Sequence, residues 1–222
     1  LSENYVFRRM VCDMQTRDLG RIFSSLTFRI SEEAPAESLK VGFARMGKRR
    51  RFPSDHEFHE SLMKRDIYGL RSCRFLLDRL ENDSKEKIDT SSFTIEHVMP
   101  QNPKLLPVWR EVLGSDWKNV QETWVHRLGN LTLSGYNEKY SDASFQEKKT
   151  MKNGFKDSPL RLNKFIGEQD SWNETLIEQR GESMAHHAVR IWGGLSIDRK
   201  VVQRYALEEM KERASQVKLE SV

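Results

Sequence analysis

Glu96 and His97 stand side by side just ahead of Val98-Met99-Pro100, and Asn130 and Asn137 follow further along the chain. A carboxylate is a hard oxygen ligand suited to Mg²⁺ or Mn²⁺, and an imidazole can accept a proton near neutral pH. Phosphodiester hydrolysis needs both, a cation against the phosphate and a base for the attacking water. Neighbouring residues on a regular strand point to opposite faces, so the pair reaches one site only where the strand ends or bulges. Val98-Met99-Pro100 supplies such an ending. Asn137 adds a neutral oxygen ligand at the start of a following helix, which leaves room for waters and phosphate oxygens, as Mg²⁺ prefers. Asn130, entering a second strand behind Gly129, is assigned to hydrogen-bonding the loop that carries His97, which would hold the imidazole in one tautomer. Plainer roles compete for each: a histidine packed at a strand end, a surface carboxylate, or an asparagine forming a turn or a helix cap.

The elements that position these residues are short. Ser92-Phe93-Thr94-Ile95 is β-favouring and delivers Glu96-His97 at its end, and Leu131-Thr132-Leu133 is a second short strand. Trp109 to Leu128 reads as a helical insertion between them, and the chain turns helical again from Tyr136 through Phe145 and Lys149. Before this stretch, apolar spacing predicts a helical pattern from Tyr5 to Phe28 interrupted near Gly20, and a short helix ending at Gly47. A further helical pattern, opened by Pro53, Ser54 and Asp55, runs through Phe58 and Leu80. Glu81 to Thr90 reads as a linker. Trp172 to Trp192 and Asp198 to Val217 read as two last helices, separated by Gly193-Gly194. The expected fold class is mainly α, a helical domain with an embedded ββα-metal finger. Its parts would be a helical scaffold over 1–90, a nuclease core over 91–156 and packing helices over 157–222.

Ile95-Glu96-His97-Val98-Met99-Pro100-Gln101, then His126-Arg127-Leu128-Gly129-Asn130-Leu131-Thr132-Leu133, then Asn137 and finally Phe145 with Lys148-Lys149 form a set. The set resembles the C-terminal nuclease domain of the GmrSD type IV restriction family, which includes the SspE-like phage-defence nucleases. The resemblance covers residues 93–150. It implies an HNH (His-Me finger) endonuclease with His97 as general base, Glu96 and Asn137 as metal positions, and Asn130 as the middle asparagine. It also implies DNA as partner, and an N-terminal nucleotide-hydrolysing sensor domain lying before Leu1. Glu96 stands where many HNH enzymes carry Asp, and the longer arm shifts the metal.

The 222 residues are 37% hydrophobic and 32% charged with a formal net charge of +4, a mild excess that suits a polyanion. Lys48-Arg49-Arg50-Arg51 is a dense cationic run. Lys148, Lys149, Lys152 and Lys156 recur at near-helical spacing behind the candidate site. Lys149, Lys152 and the Lys48–Arg51 run are candidate phosphate contacts. His126 and Arg127 are candidates too, although packing between helices is the favoured role for His126 and a helix-terminal charge is equally available to Arg127. His56 and His59 share a helical turn without a third ligand near in sequence, and His186-His187 point in different directions on one helix. The five tryptophans fall at apolar helical positions and read as core.

Cys12 and Cys73 lie far apart, with no C-x-x-C pair, which argues against a zinc knuckle and for a reducing compartment, the bacterial cytoplasm. No apolar run is long enough for a membrane span, and no phosphate-cradling glycine loop is present. A first residue other than methionine fits a piece of a longer protein. The competing function is a non-catalytic DNA-binding or partner-docking module that keeps the HNH fold.

Overall fold

The computed structural model describes residues 1–220, without the side chains of residues 137, 138 and 217–220. In chain order it contains α1 (Ser2–Val11), α2 (Leu19–Thr27), α3 (Pro35–Ala44), α4 (Asp55–Lys64), α5 (Cys73–Glu81) and β1 (Thr94–His97). There follow α6 (Pro107–Leu113), α7 (Trp117–Trp124), β2 (Leu131–Ser134), α8 (Asn137–Tyr140), α9 (Phe145–Thr150), α10 (Arg161–Glu168), α11 (Glu174–Ile191) and α12 (Arg199–Glu220). Among the described residues the chain is thus mainly helical with one small sheet, which agrees with the expected mainly α class. No described helix is long and apolar enough to cross a membrane.

Two compact units divide the chain: residues 1–58 with 192–222, and residues 59–191. In the first, Tyr5 of α1 lies 4.6 Å from the Phe43 ring and 5.5 Å from Phe52, with Ile22 and Leu26 of α2 buried beside them. The buried Arg8 guanidinium donates to the carbonyls of Trp192 (2.5 Å) and Pro53 (3.1 Å) and pairs with Asp55. α12 is tied to α3 through Arg204–Glu37, and to Arg45 just past the end of α3 through a two-pronged pair with Glu209 (2.6 and 2.9 Å).

The second unit is built around a hairpin. β1 and β2 pair antiparallel, with Glu96 opposite Thr132 and His97 opposite Leu131, and every residue of β2 is buried. A 3₁₀ turn, Leu128–Asn130, leads into β2, and α11 lies directly on it. Gly129 is required by that approach: a Cβ there would sit 1.8 Å from the Ile177 carbonyl oxygen. Arg180 of α11, also buried, donates to the carbonyls of Gly129 (2.6 Å), Leu131 (2.8 Å) and Leu162 (3.0 Å). Burial pushes its guanidinium down to about 9, still charged at neutral pH.

Several boundaries differ from the expected ones, each for a local reason. The break in the first helical pattern falls at residues 12–18, where Asp13 adopts a left-handed φ of 55°, and Gly20 lies inside α2. The pattern from Phe58 to Leu80 is two helices, because the His126 carbonyl captures the Ile67 and Tyr68 amides at 3.0 and 3.4 Å and holds a loop there. The insertion between the strands is likewise two helices, parted at Gly114 with φ 78°. Helix α10 was not foreseen. Its first amides, of Arg161 and Leu162, are capped at 2.9 Å by both oxygens of Glu81 at the end of α5, a partner far off in sequence.

Substituting Gly129→Ala drives a methyl into the α11 backbone, which cannot yield as a flexible side chain could. We expect a loss of about 3 kcal/mol or more in chemical denaturation, the upper end of overpacking costs. A loss of under about 1 kcal/mol would mean that α11 slides away freely.

Candidate active site

Three segments of the second unit meet at the end of β1: the loop following α4, the β1 terminus, and the chain that precedes the 3₁₀ turn. His97 Nε2 lies 3.1 Å from His126 Nδ1. The Tyr68 ring meets the His97 ring edge-on at 4.5 Å and lies nearly parallel to His126 at 5.2 Å. His97 is only 5% exposed, yet its neighbours are polar and aromatic. At 3.1 Å one imidazole must donate to the other. The tautomer with the proton on His97 Nε2 leaves a lone pair on His97 Nδ1.

Glu96 leaves the strand toward α9. Its Oε1 accepts from Lys148 Nζ at 2.7 Å, and the same ammonium donates to the His97 carbonyl at 2.9 Å. Lys148 is fully buried and Glu96 is 7% exposed. Burial raises the Glu96 pKa and lowers that of Lys148, and the attraction between them opposes both shifts. Among the described residues, Glu96 Oε2 accepts no hydrogen bond. The Lys148 site also corrects the expected lysine cluster: α9 ends at Thr150, Lys148 faces inward, and only Lys152 and Lys156 stand exposed.

Asn130 is fully buried, and its carboxamide is saturated. Oδ1 accepts from the Met99 amide (2.8 Å) and Trp172 Nε1 (3.0 Å), while Nδ2 donates to the carbonyls of Met99 (3.0 Å) and Val125 (2.9 Å). The loop just after His97 is therefore clamped by a side chain that has no oxygen to spare for a cation. Asn137 opens α8 after β2, and its side chain lies outside the described residues.

The candidate phosphate contacts are distributed unevenly. Lys149 Nζ donates to the Gln169 carbonyl (2.5 Å) and pairs with Asp170 (3.2 Å), tying α9 to the loop after α10. Arg127 is half-buried and donates to the Thr123 carbonyl at 2.9 Å. Burial lowers its pKa against the pull of Asp66. In the first unit Arg51 pairs with Glu57 and Arg50 with Asp18 (3.3 Å), and Lys48 and Arg49 are exposed. Tyr68 and Asp66 are not among the residues that the sequence singles out, and Lys148 stands in the motif set without a role of its own. Only Lys148 left a signal there, three residues after the apolar Phe145 and so on the inward face of its helix.

His97 is pushed down to about 3, first by burial, then by His126 and Lys148, with Asp66 opposing. Its ordinary value is 6.5, so between those pH values the unfolded chain binds a proton that the folded chain refuses. The stability this contributes at neutral pH is lost as pH falls from about 6.5 toward 3. The parent should therefore lose more stability than His97→Gln between about pH 7 and 4.5. Parallel stability-against-pH curves for the two proteins would contradict the assigned environment.

Asn130→Ala leaves the Met99 amide, the Met99 and Val125 carbonyls and the Trp172 indole without partners. A loss of about 3 kcal/mol or more is expected in urea denaturation, and a loss within error would sink the clamp.

No match was found among curated proteins. The family model for the GmrSD restriction endonucleases, C-terminal domain, matches residues 52–187, which include the hairpin, both histidines and most of α11. The match spans more than half of the sequence, and the chain belongs to the C-terminal domain family of the GmrSD restriction endonucleases.

Proposed function

We propose that this chain is an HNH-type endonuclease domain that hydrolyses DNA phosphodiesters with His97 as the base, within a ββα-metal finger formed by β1, β2 and α8. The observation that carries the reading is the contact between His97 and His126 at the end of a strand whose following loop is clamped by Asn130. Family membership supports nuclease chemistry. Residues 91–156 are the proposed catalytic core, with 1–90 and 157–222 as surround.

A divalent cation fits the donor set in one respect that the structure displays. One Glu96 oxygen is held by Lys148 while the other lacks a hydrogen-bond partner among the described residues, and Mg²⁺ is commonly held by one or two carboxylates plus waters. Glu96 would hold it, with Asn137 as the proposed second oxygen donor. Bound there, Mg²⁺ or Mn²⁺ would neutralise the scissile phosphate and the departing oxygen.

His97 takes the proton of a water on Nδ1, while Nε2–H remains donated to His126 Nδ1. The hydroxide attacks phosphorus, the bond to the 3′-oxygen breaks, and the 3′-oxygen leaves in line with the attack. An imidazole near 3 is neutral but a weak base, and a phosphodiester brought alongside adds negative charge that raises it. His126 and Tyr68 fix the ring plane, so little reorganisation is needed at the moment of transfer. Exposed Lys152 provides a phosphate contact, as do Lys48 and Arg49 in the first unit, and this binding weakens with salt. One base acts on one strand at a time, so nicks precede double-strand breaks. In the intact protein an N-terminal nucleotide-hydrolysing domain that senses modified DNA would govern this activity, in the bacterial cytoplasm.

Supercoiled plasmid incubated with the chain and Mg²⁺ or Mn²⁺ should relax to the nicked form. His97→Ala should slow nicking by at least about a hundredfold while still shifting the plasmid on a gel. Equal rates for the two proteins would reject His97 as the base, and an intact plasmid that both proteins shift would mark a binding module instead.

A further inference from the structure

A second cluster of ligand groups joins α4 to α11 within the second unit. His59 of α4, Glu182 and His186 of α11 present three ligand atoms that all lie within 4.8 Å of one another. Glu182 Oε1 is 3.2 Å from His59 Nε2 and 3.0 Å from His186 Nε2. Around a tetrahedral Zn²⁺ with bonds near 2.0–2.1 Å, neighbouring ligand atoms stand about 3.3 Å apart, so the separations of 3.2 and 3.0 Å are close to two edges of such a coordination shell.

The contact between His59 and Glu182 is close but is not a hydrogen bond. His59 Nε2 is a buried nitrogen with no hydrogen-bond partner, although a carboxylate oxygen sits 3.2 Å away. A buried imidazole nitrogen normally finds a partner. A nitrogen and an oxygen at bonding distance but out of line is what two lone pairs aimed at a common centre produce. Glu182 and His186 are one helical turn apart and share a face, and His59 supplies the third group from a different helix.

We propose that His59, Glu182 and His186 form a binding site for Zn²⁺, with the remaining coordination position open to water. Two imidazoles and one carboxylate suit a borderline cation of this kind and not the hard Mg²⁺ proposed for the catalytic centre. The metal would fasten the His59 end of α4 to α11, the helix that carries Arg180 against the hairpin turn. This assignment does not depend on the nuclease reading.

Calorimetric titration of the chain with Zn²⁺ alone tests it. One site is expected, undiminished by a large excess of Mg²⁺, and Zn²⁺ should raise the unfolding temperature. His59→Ala, Glu182→Gln and His186→Ala should each weaken binding by roughly tenfold or more and abolish the thermal shift. The His186 side chain is 62% exposed, so its variant keeps the fold even where His59→Ala does not. His187→Ala, which removes a neighbouring imidazole paired with Asp83 at 2.9 Å, should leave Zn²⁺ affinity unchanged. Absence of Zn²⁺ binding by the parent, or equal binding by all three site variants, overturns the proposal.

Discussion

A two-stranded ribbon of four residues per strand cannot hold itself together in water, and everything in the second unit depends on how this one is supplied with partners. The supply comes from two buried polar side chains. The Asn130 carboxamide spends all four of its hydrogen-bonding positions on the loop beyond His97, on Val125 and on the Trp172 indole. The Arg180 guanidinium reaches from α11 to carbonyls on both sides of that asparagine. Each stabilises the other's setting. Without the arginine the turn has unpaired carbonyls, and without the asparagine the strand end is free to move. Gly129 between them is the condition that lets the helix come close enough.

Electrostatics at the strand end follow from the same burial. Lys148 is shut off from water and Glu96 nearly so, and the 2.7 Å contact between them offsets the cost of burying the two charges. The lysine also donates to the His97 carbonyl, so one ammonium fixes the side chain of one residue and the backbone of the next. At the last position of the strand His97 meets His126 and Tyr68, so the carboxylate and the imidazole keep different neighbours at the same strand end, one a salt-bridging lysine and the other aromatic rings.

Much of this was legible beforehand. Apolar spacing located most of the helices, Thr94 and Ile95 marked the first strand and Leu131-Thr132-Leu133 the second, and residue type with position brought Glu96, His97 and Asn130 to notice. What was illegible has a common cause: it depends on partners remote in the chain. Helix α10 is capped by Glu81, the loop at Ile67 and Tyr68 is held by the His126 carbonyl, and neither bond has a local signature. Lys148 looked like a surface cation because charge normally seeks water, and only its buried partner Glu96 explains the exception. In the sequence Gly129 is only the residue before Asn130, whereas its requirement is the nearness of the Ile177 carbonyl. His59 lacked a third ligand in sequence, and folding brought two from α11.

Helix α9 begins at a complete capping box, with the Ser144 hydroxyl and the Glu147 carboxylate each satisfying the other's backbone amide. That box sets the origin from which the helix counts, and Lys148 is reached one turn later. Adding or deleting a single residue between them would rotate the ammonium by about 100° about the helix axis and strand Glu96 without a counter-charge. In related chains the interval from Ser144 to Lys148 must therefore stay constant.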